Sequence, residues 1–147
     1  LSVGDMFERA DAYAVVHPRI DLNGEASIAF TNGQQLAMGT YVRDSGLTVS
    51  LSNNVITPTN AITYNLGSVV ALSINYTIVR GTAYRTGIIN ITTTGSGSLN
   101  YTDDFTENAS TGITLTVTQS GSTVFVKYIS TNTGSAASLT YSITHLA

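Results

Sequence analysis

The clearest alternation of apolar and polar residues lies in residues 68–94. An apolar-rich run from Val69 to Val79 is followed by a short break and then by a second run, Ile88 to Ile91. In the first run, apolar and polar side chains follow each other with a period of two, as expected for a half-buried strand. The pattern predicts two long antiparallel strands joined by a tight loop over residues 80–87. The rest of the chain is expected to pack around this hairpin.

The same alternation recurs in short segments after Pro18, separated by turn signals such as Asn23-Gly24 and Asn32-Gly33. Asn-Gly is the strongest short hairpin signal in a sequence. Gly39 is interpreted as a possible bulge in one strand, and residues 103–108 are interpreted as a loop. Besides the central hairpin, the candidate strand segments are 25–31, 35–43, 47–52, 55–57, 62–66, 98–102, 113–118, 124–128 and 139–146. This spacing predicts an all-β antiparallel sandwich of about eight to ten strands.

The chain opens with a different pattern. Residues 2–16 are predicted to form a helix, because five residues follow the 3-4 spacing of a heptad and Pro18 ends the run. These residues are Val3, Met6, Ala10, Tyr13 and His17. We expect residues 1–17 to be the end of a helical stalk and residues 18–147 to be the β domain. A short amphipathic helix packed on its own domain is the alternative. The start at Leu1 favours a fragment of a longer polypeptide.

Charge is scarce and unevenly distributed. Nine of the fifteen charged residues lie in the first 44 positions, and the net charge is −3. Binding to nucleic acid requires clustered Lys and Arg, so it is not expected. Cysteine is absent, which excludes disulfides and thiolate metal sites. At 147 residues the chain is long enough for one domain with a core of its own.

The chain offers little for catalysis. Its two histidines, His17 and His145, are far apart, and no G-x-S-x-G motif is present. We therefore predict that the protein is not an enzyme and uses no cofactor. The acidic residues Asp103, Asp104 and Glu107 suit a hard cation, but such sites recruit more oxygen ligands than this stretch offers. No metal site is predicted.

The sharpest candidate site is formed by Arg80, Tyr84 and Arg85, in the loop of the central hairpin. Guanidinium groups present fixed donors to carboxylates and other anions, and a tyrosine ring can pack at a subunit contact. We expect these residues to bind an anion, such as a small carboxylate, or to form an intersubunit contact. The alternative is that both arginines pair with Asp103, Asp104 or Glu107 in the same chain.

Residues 68–147 resemble a module found at the C-termini of structural proteins of tailed bacteriophages. The residues that carry the resemblance are YTIVRGTAYRTGIINI and the segment from LNYTDDFTENASTGITLTVTQ to the end. A helix before a β domain is similar to the junction of stalk and knob in phage tail needles and tail fibres. The resemblance implies a trimeric jelly roll similar to the tumour-necrosis-factor fold. Residues 18–67 match no motif of that family.

The resemblance implies a structural protein of the virion. We expect a homotrimeric knob at the extracellular tip of a tail needle or fibre, which contacts or penetrates the host cell envelope through a surface glycan or another receptor. Two alternatives stay open. The first is a capsid decoration or head-fibre protein, and the second is a carbohydrate-binding β-sandwich module. The lack of Trp weakens the second alternative.

Overall fold

A computed structural model describes residues 35–38, 40–44, 47–94 and 98–146. All regular elements in these ranges are strands, and every strand pair is antiparallel. The prediction of an all-β antiparallel fold is therefore confirmed. The predicted helix and stalk at residues 1–17 and the predicted strand at 25–31 lie outside the described residues. The strands are β1 (Gln35–Met38), β2 (Tyr41–Asp44), β3 (Leu47–Leu51), β4 (Thr59–Asn65), β5 (Ala71–Arg80), β6 (Ala83–Thr93), β7 (Leu99–Glu107), β8 (Ile113–Ser120), β9 (Thr123–Ser130) and β10 (Ala137–Leu146).

These strands form a seven-stranded sheet and a three-stranded sheet. The large sheet has the order β1-β2-β10-β5-β6-β7, and β3 pairs with β10 beyond the end of β2. The small sheet has the order β4-β9-β8. The chain passes between the sheets four times, after β3, β4, β7 and β9. Hairpins connect β5 to β6, β6 to β7 and β8 to β9.

The core lies between the inner faces of the two sheets. The central hairpin alternates almost perfectly, so that every second side chain of β5 and β6 is buried. The least exposed apolar side chains come from both sheets, which shows that the sheets share one core. They are Leu51, Ile74, Ile78, Ile89, Ile91, Val124, Val126 and Leu139.

The central hairpin is confirmed, but its loop is much shorter than predicted. Arg80 ends β5 and pairs with Ala83 at the start of β6, which leaves Gly81 and Thr82 as the turn. Gly81 has a φ of 62°, a conformation that costs glycine nothing. Arg85 and its neighbours are therefore strand residues, because the ladder of β5 and β6 continues to the tip.

Other predicted boundaries are also wrong. Residues 103–107 are not a loop, because β7 stays paired with β6 as far as Glu107. The single strand predicted over residues 35–43 is instead two strands, because β1 and β2 pair with each other antiparallel. The predicted bulge at Gly39 lies outside the described residues. Residues 55–57 form no strand. The polar residues of β7 suggest a loop in the sequence, but this edge strand carries them on both faces, with Asp104 and Thr106 outward and Asp103 and Glu107 on the core side.

Candidate functional site

Arg80 lies inside the sandwich, at the end of β5, and only 6% of it is exposed. Its Nε donates to the carbonyl of Ser135, and Nη1 donates to the carbonyl of Thr111. Nη2 donates to the Asn53 side chain at 2.7 Å and to the Thr131 carbonyl at 2.8 Å. A longer bond from Nη1 to the Thr131 hydroxyl completes the five donors of the guanidinium. Arg80 thus ties three segments together through neutral acceptors.

Arg85, on strand β6, is also buried, and its side chain pairs with an acidic residue. Its Nη2 lies 3.1 Å from a carboxylate oxygen of Glu107 and donates to the carbonyl of Ile113 at 2.6 Å. The guanidinium also stacks on the ring of Phe105, 4.1 Å from the ring centroid. Arg85 therefore forms the ion pair with an acidic residue of the same chain that the sequence analysis gave as the alternative.

Tyr84 lies between the two arginines in sequence but points to the opposite face. Its side chain is 50% exposed on the outer face of the large sheet. The backbone is fixed there because the Tyr84 amide donates to the side chain of Asn108, which in turn donates to the carbonyl of Thr82. The structure thus separates Tyr84 from the two guanidinium groups. A shared role of Arg80, Tyr84 and Arg85 in anion or subunit binding stays a prediction.

Tyr76 and Asp103 form a hydrogen-bonded pair beside the ion pair of Arg85 and Glu107. The buried Tyr76 hydroxyl donates to Asp103 Oδ1 at 2.7 Å, reaching from β5 across β6 to β7. Gly87 makes room for it, because a Cβ at Gly87 would lie 2.7 Å from Tyr76 Cζ and 2.8 Å from the Cβ of Phe105. Burial, followed by the hydrogen bond to Asp103, raises the pKa of Tyr76 above its usual range. Burial also raises the pKa of Asp103, although the Tyr76 bond and Arg85 oppose this.

Glu107 is held by several donors. The amide and the hydroxyl of Thr111 both donate to Oε2, the same oxygen that faces Arg85. Burial alone would raise the pKa of Glu107, but these hydrogen bonds and the Arg85 charge outweigh it and lower the pKa. Glu107 is therefore placed to stay ionised as the counter-charge of Arg85.

The acidic residues of β7 do not form one cluster. Asp103 and Glu107 face the core side of the sheet, whereas Asp104 faces outward beside Ile88. Among the described residues, no group of three His, Asp or Glu side chains could hold a metal ion.

His145 lies in β10 with its ring centroid 6.2 Å from that of Tyr64. No described helix is long and apolar enough to cross a membrane.

The outer face of the large sheet is open and carries hydroxyl and amide side chains among exposed apolar ones such as Val79 and Ile88. Two depressions of about 720 and 480 Å³ lie on it, each crossing β10, β5, β6 and β7. Cross-strand hydrogen bonds such as Thr48 to Thr140 and Ser73 to Asn90 brace the polar side chains. Asp104 is the charged side chain in their lining. The polar residues lining the larger depression include Asn75, Thr77, Thr86, Asp104, Thr106 and Thr140.

No family model matches the chain, and no curated protein matches it. Solved structures with a similar arrangement include the tailspike protein of Acinetobacter baumannii phage AM24, at 10% identity and a TM-score of 0.45. That match covers 74% of this chain and 26% of the tailspike. They also include a tailspike of Acinetobacter baumannii bacteriophage Fri1, at 12% identity and a TM-score of 0.44, covering 77% of this chain and 19% of that one. The chain thus spans about a quarter or less of the length of each tailspike.

One prediction is corrected by this comparison. The Fri1 tailspike is described as a capsular polysaccharide depolymerase. This description contradicts the prediction that the protein is not an enzyme, and the prediction is not retained. Distant histidines and a missing nucleophile motif do not exclude catalysis, because a pair of carboxylates suffices to hydrolyse a glycosidic bond.

Proposed function

We propose that this chain is a β-sandwich module of a phage tail protein that attaches the virion to glycans on the host surface. The observation that carries the proposal is the outer face of the large sheet, which presents rows of hydroxyl and amide groups and one carboxylate. Saccharides are recognised by such donors and acceptors. Because this face carries so little charge, its affinity for a glycan should change little with the ionic strength outside the cell. The resemblance of residues 68–147 to phage tail modules supports the same role.

The finer form of the proposal is a trimeric knob of jelly-roll type at the tail tip. Two antiparallel sheets that share one core and are joined by four crossing connections support a double-sheet jelly roll, while hairpins join β5 to β6, β6 to β7 and β8 to β9 within a sheet. Of the three positions predicted for anion binding or a subunit contact, only Tyr84 has an exposed side chain. We therefore assign the contact with a neighbouring subunit to Tyr84.

Binding to cells tests the attachment role. The fluorescently labelled chain is added to a panel of encapsulated bacteria, to their acapsular derivatives and to cells treated with periodate, which destroys sugar diols. We expect binding to some strains that is lost after treatment. The proposal fails if no strain binds, or if binding survives both removal of the capsule and periodate. Sedimentation equilibrium tests the trimer separately, and a monomer at micromolar concentration contradicts it.

A further inference from the structure

Strand β7 forms one edge of the large sheet and presents two exposed aromatic rings on its core side. Phe105 is 48% exposed and Tyr101 is 38% exposed, although both alternate with the outward residues of β7. Their pairing with Gly87 and Ile91 places them in the same rows as inward-facing residues of β6. The small sheet, with only three strands, leaves these rings partly uncovered at the margin of the sandwich.

The Phe105 ring is fixed from its buried side. The Arg85 guanidinium stacks on it at 4.1 Å, and Arg85 is itself held by Glu107 and by the carbonyl of Ile113. A cation over one face of an aromatic ring orients the ring and leaves the rest of its surface to solvent. Phe105 is therefore an immobilised flat surface, which loses little side-chain freedom when a ligand stacks on it.

Asp103 lies between the two rings on the same face of β7. Its Oδ1 accepts the hydrogen bond from Tyr76, whose position depends on the space left by Gly87. The second carboxylate oxygen keeps its capacity to accept hydrogen bonds from ligand hydroxyls. Tyr101 and Phe105 are four residues apart, about 13 Å along a strand. Two flat apolar surfaces thus flank a fixed acceptor at a distance that several linked sugar rings would span.

We propose that Tyr101, Asp103 and Phe105 form a saccharide-binding platform whose ligand is a neutral glycan. This inference rests on the proposed attachment function and adds to the outer face a glycan contact on the opposite side of β7, with its ligand class. Sugar rings present C–H groups to the negative faces of aromatic rings, while their hydroxyls donate to carboxylates. The negative charge of β7 favours a neutral glycan over an acidic one. β7 carries Asp103, Asp104 and Glu107, and the neighbouring cation, Arg85, is already paired. An anionic glycan would meet repulsion without a free cation to offset it.

Binding of defined oligosaccharides to the whole chain tests the platform. The neutral probes are oligomers of glucose, mannose and N-acetylglucosamine, and the acidic probes are oligomers of galacturonic acid and sialic acid. Binding is measured by saturation-transfer NMR and calorimetry. The double variant Tyr101→Leu/Phe105→Leu removes both flat rings but keeps apolar cover over Arg85. Phe125→Leu, on the small sheet, is the matched control, and Tyr101→Phe keeps the ring.

We expect at least one neutral probe to bind the wild-type chain and Kd to rise about tenfold or more in the double variant. Phe125→Leu and Tyr101→Phe should keep wild-type affinity, and acidic probes should bind more weakly than neutral ones. Neutral binding that is unchanged in the double variant overturns the platform but leaves glycan attachment standing. Stronger binding of acidic probes overturns the ligand class. Binding of no probe overturns the platform, whereas the attachment role is decided separately by binding to encapsulated cells. An altered sedimentation coefficient in the double variant makes the rings a subunit contact instead.

Discussion

At the scale of single residues, buried polar side chains stabilise one end of the sandwich. Arg80, Arg85 and Tyr76 all point inward from the central hairpin, and each reaches a partner on another segment. A buried polar group costs free energy unless its hydrogen bonds are complete. All five donors of Arg80 are bonded, and Arg85 bonds the Glu107 carboxylate and the Ile113 carbonyl, which offsets the cost of burying two arginines. The substitutions below separate what each contributes.

Replacing Arg80 should destabilise the fold strongly. Arg80→Ala removes a donor from the buried carbonyls of Thr111, Thr131 and Ser135 and leaves a cavity where the side chain lay, and we expect a loss of about 3 kcal/mol in the free energy of unfolding. Arg80→Lys should recover only part of this loss, because an ammonium has three donors and no planar fork. Urea unfolding measures both. Lys127→Ala, which removes a half-buried cation from the small sheet, is the control, and an equal effect of the two alanine variants would contradict the prediction.

Ionisation of Glu107 should make the free energy of unfolding decrease at acidic pH. Its pKa is lowered in the folded state, so its ionised form stabilises the fold above the unfolded pKa of about 4.3. That stabilisation is lost as the pH falls through the folded pKa. Glu107→Gln should cost about 2 kcal/mol at pH 7, because it leaves Arg85 buried without a counter-charge.

The test compares the two proteins across pH. Urea unfolding of the wild type and of Glu107→Gln between pH 7 and pH 3 should give curves that converge below about pH 4. Asp103 acts in the opposite direction, since its raised pKa favours the protonated form in the fold. The difference between the curves removes this contribution, which both proteins share. Curves that stay parallel down to pH 3 would exclude Glu107 as the source of the acid dependence.

Gly87 should resist replacement for reasons of space. An alanine Cβ would contact the Tyr76 ring and the Cβ of Phe105 at distances that no packed side chain tolerates. We expect Gly87→Ala to cost about 2 kcal/mol through overpacking. Thr86→Ala, on the opposite face of the same strand, should cost under about 0.5 kcal/mol. Thermal unfolding of the pair measures the difference, and similar midpoints would mean that Tyr76 can move aside.

At the scale of elements, the sequence predicts strands well and their ends poorly. The alternation in residues 68–94 identifies β5 and β6, because half-buried strands impose a period of two. The sequence underestimates the length of β7, because polar residues stand on both faces of this edge strand. The candidate site depends on that strand. The sequence leaves open which acidic residue pairs with Arg85, and the pairing register places Glu107 opposite it. The partners of Arg80 lie on loops far away in the sequence.

Strand β10 is the element on which the large sheet depends most. It pairs with β5 along one side and with β3 and β2 along the other. β7, in contrast, has a partner on one side only among the strands that the structure describes. In amide exchange followed by NMR, protection should alternate along β7, because every second N–H points away from β6. The centre of β10 should be protected without alternation. Uniform protection along β7 would show that another chain covers this edge.

At the scale of the whole molecule, stability rests on packing and hydrogen bonds more than on charge. In the part of the chain that the structure describes, Arg85 and Glu107 form the ion pair, and it is largely buried. Buried pairs are screened little by salt, and exposed pairs contribute little stability. We expect the free energy of unfolding to change by less than about 0.5 kcal/mol between 0.05 and 0.5 M NaCl. Urea unfolding at both salt concentrations measures it, and a drop above about 1 kcal/mol would contradict this view.

The double pairing of β10 also has a consequence for synthesis. β3 and β5 leave the ribosome long before β10, so their neighbouring edges wait without a partner while the rest of the chain is made. Unpaired edges of this kind recruit strands from other chains, and pairing over long sequence separations is slow. Ribosomes that follow each other closely on one message would bring such edges together. Slower translation initiation, which spaces nascent chains apart, should therefore increase the soluble yield of this protein.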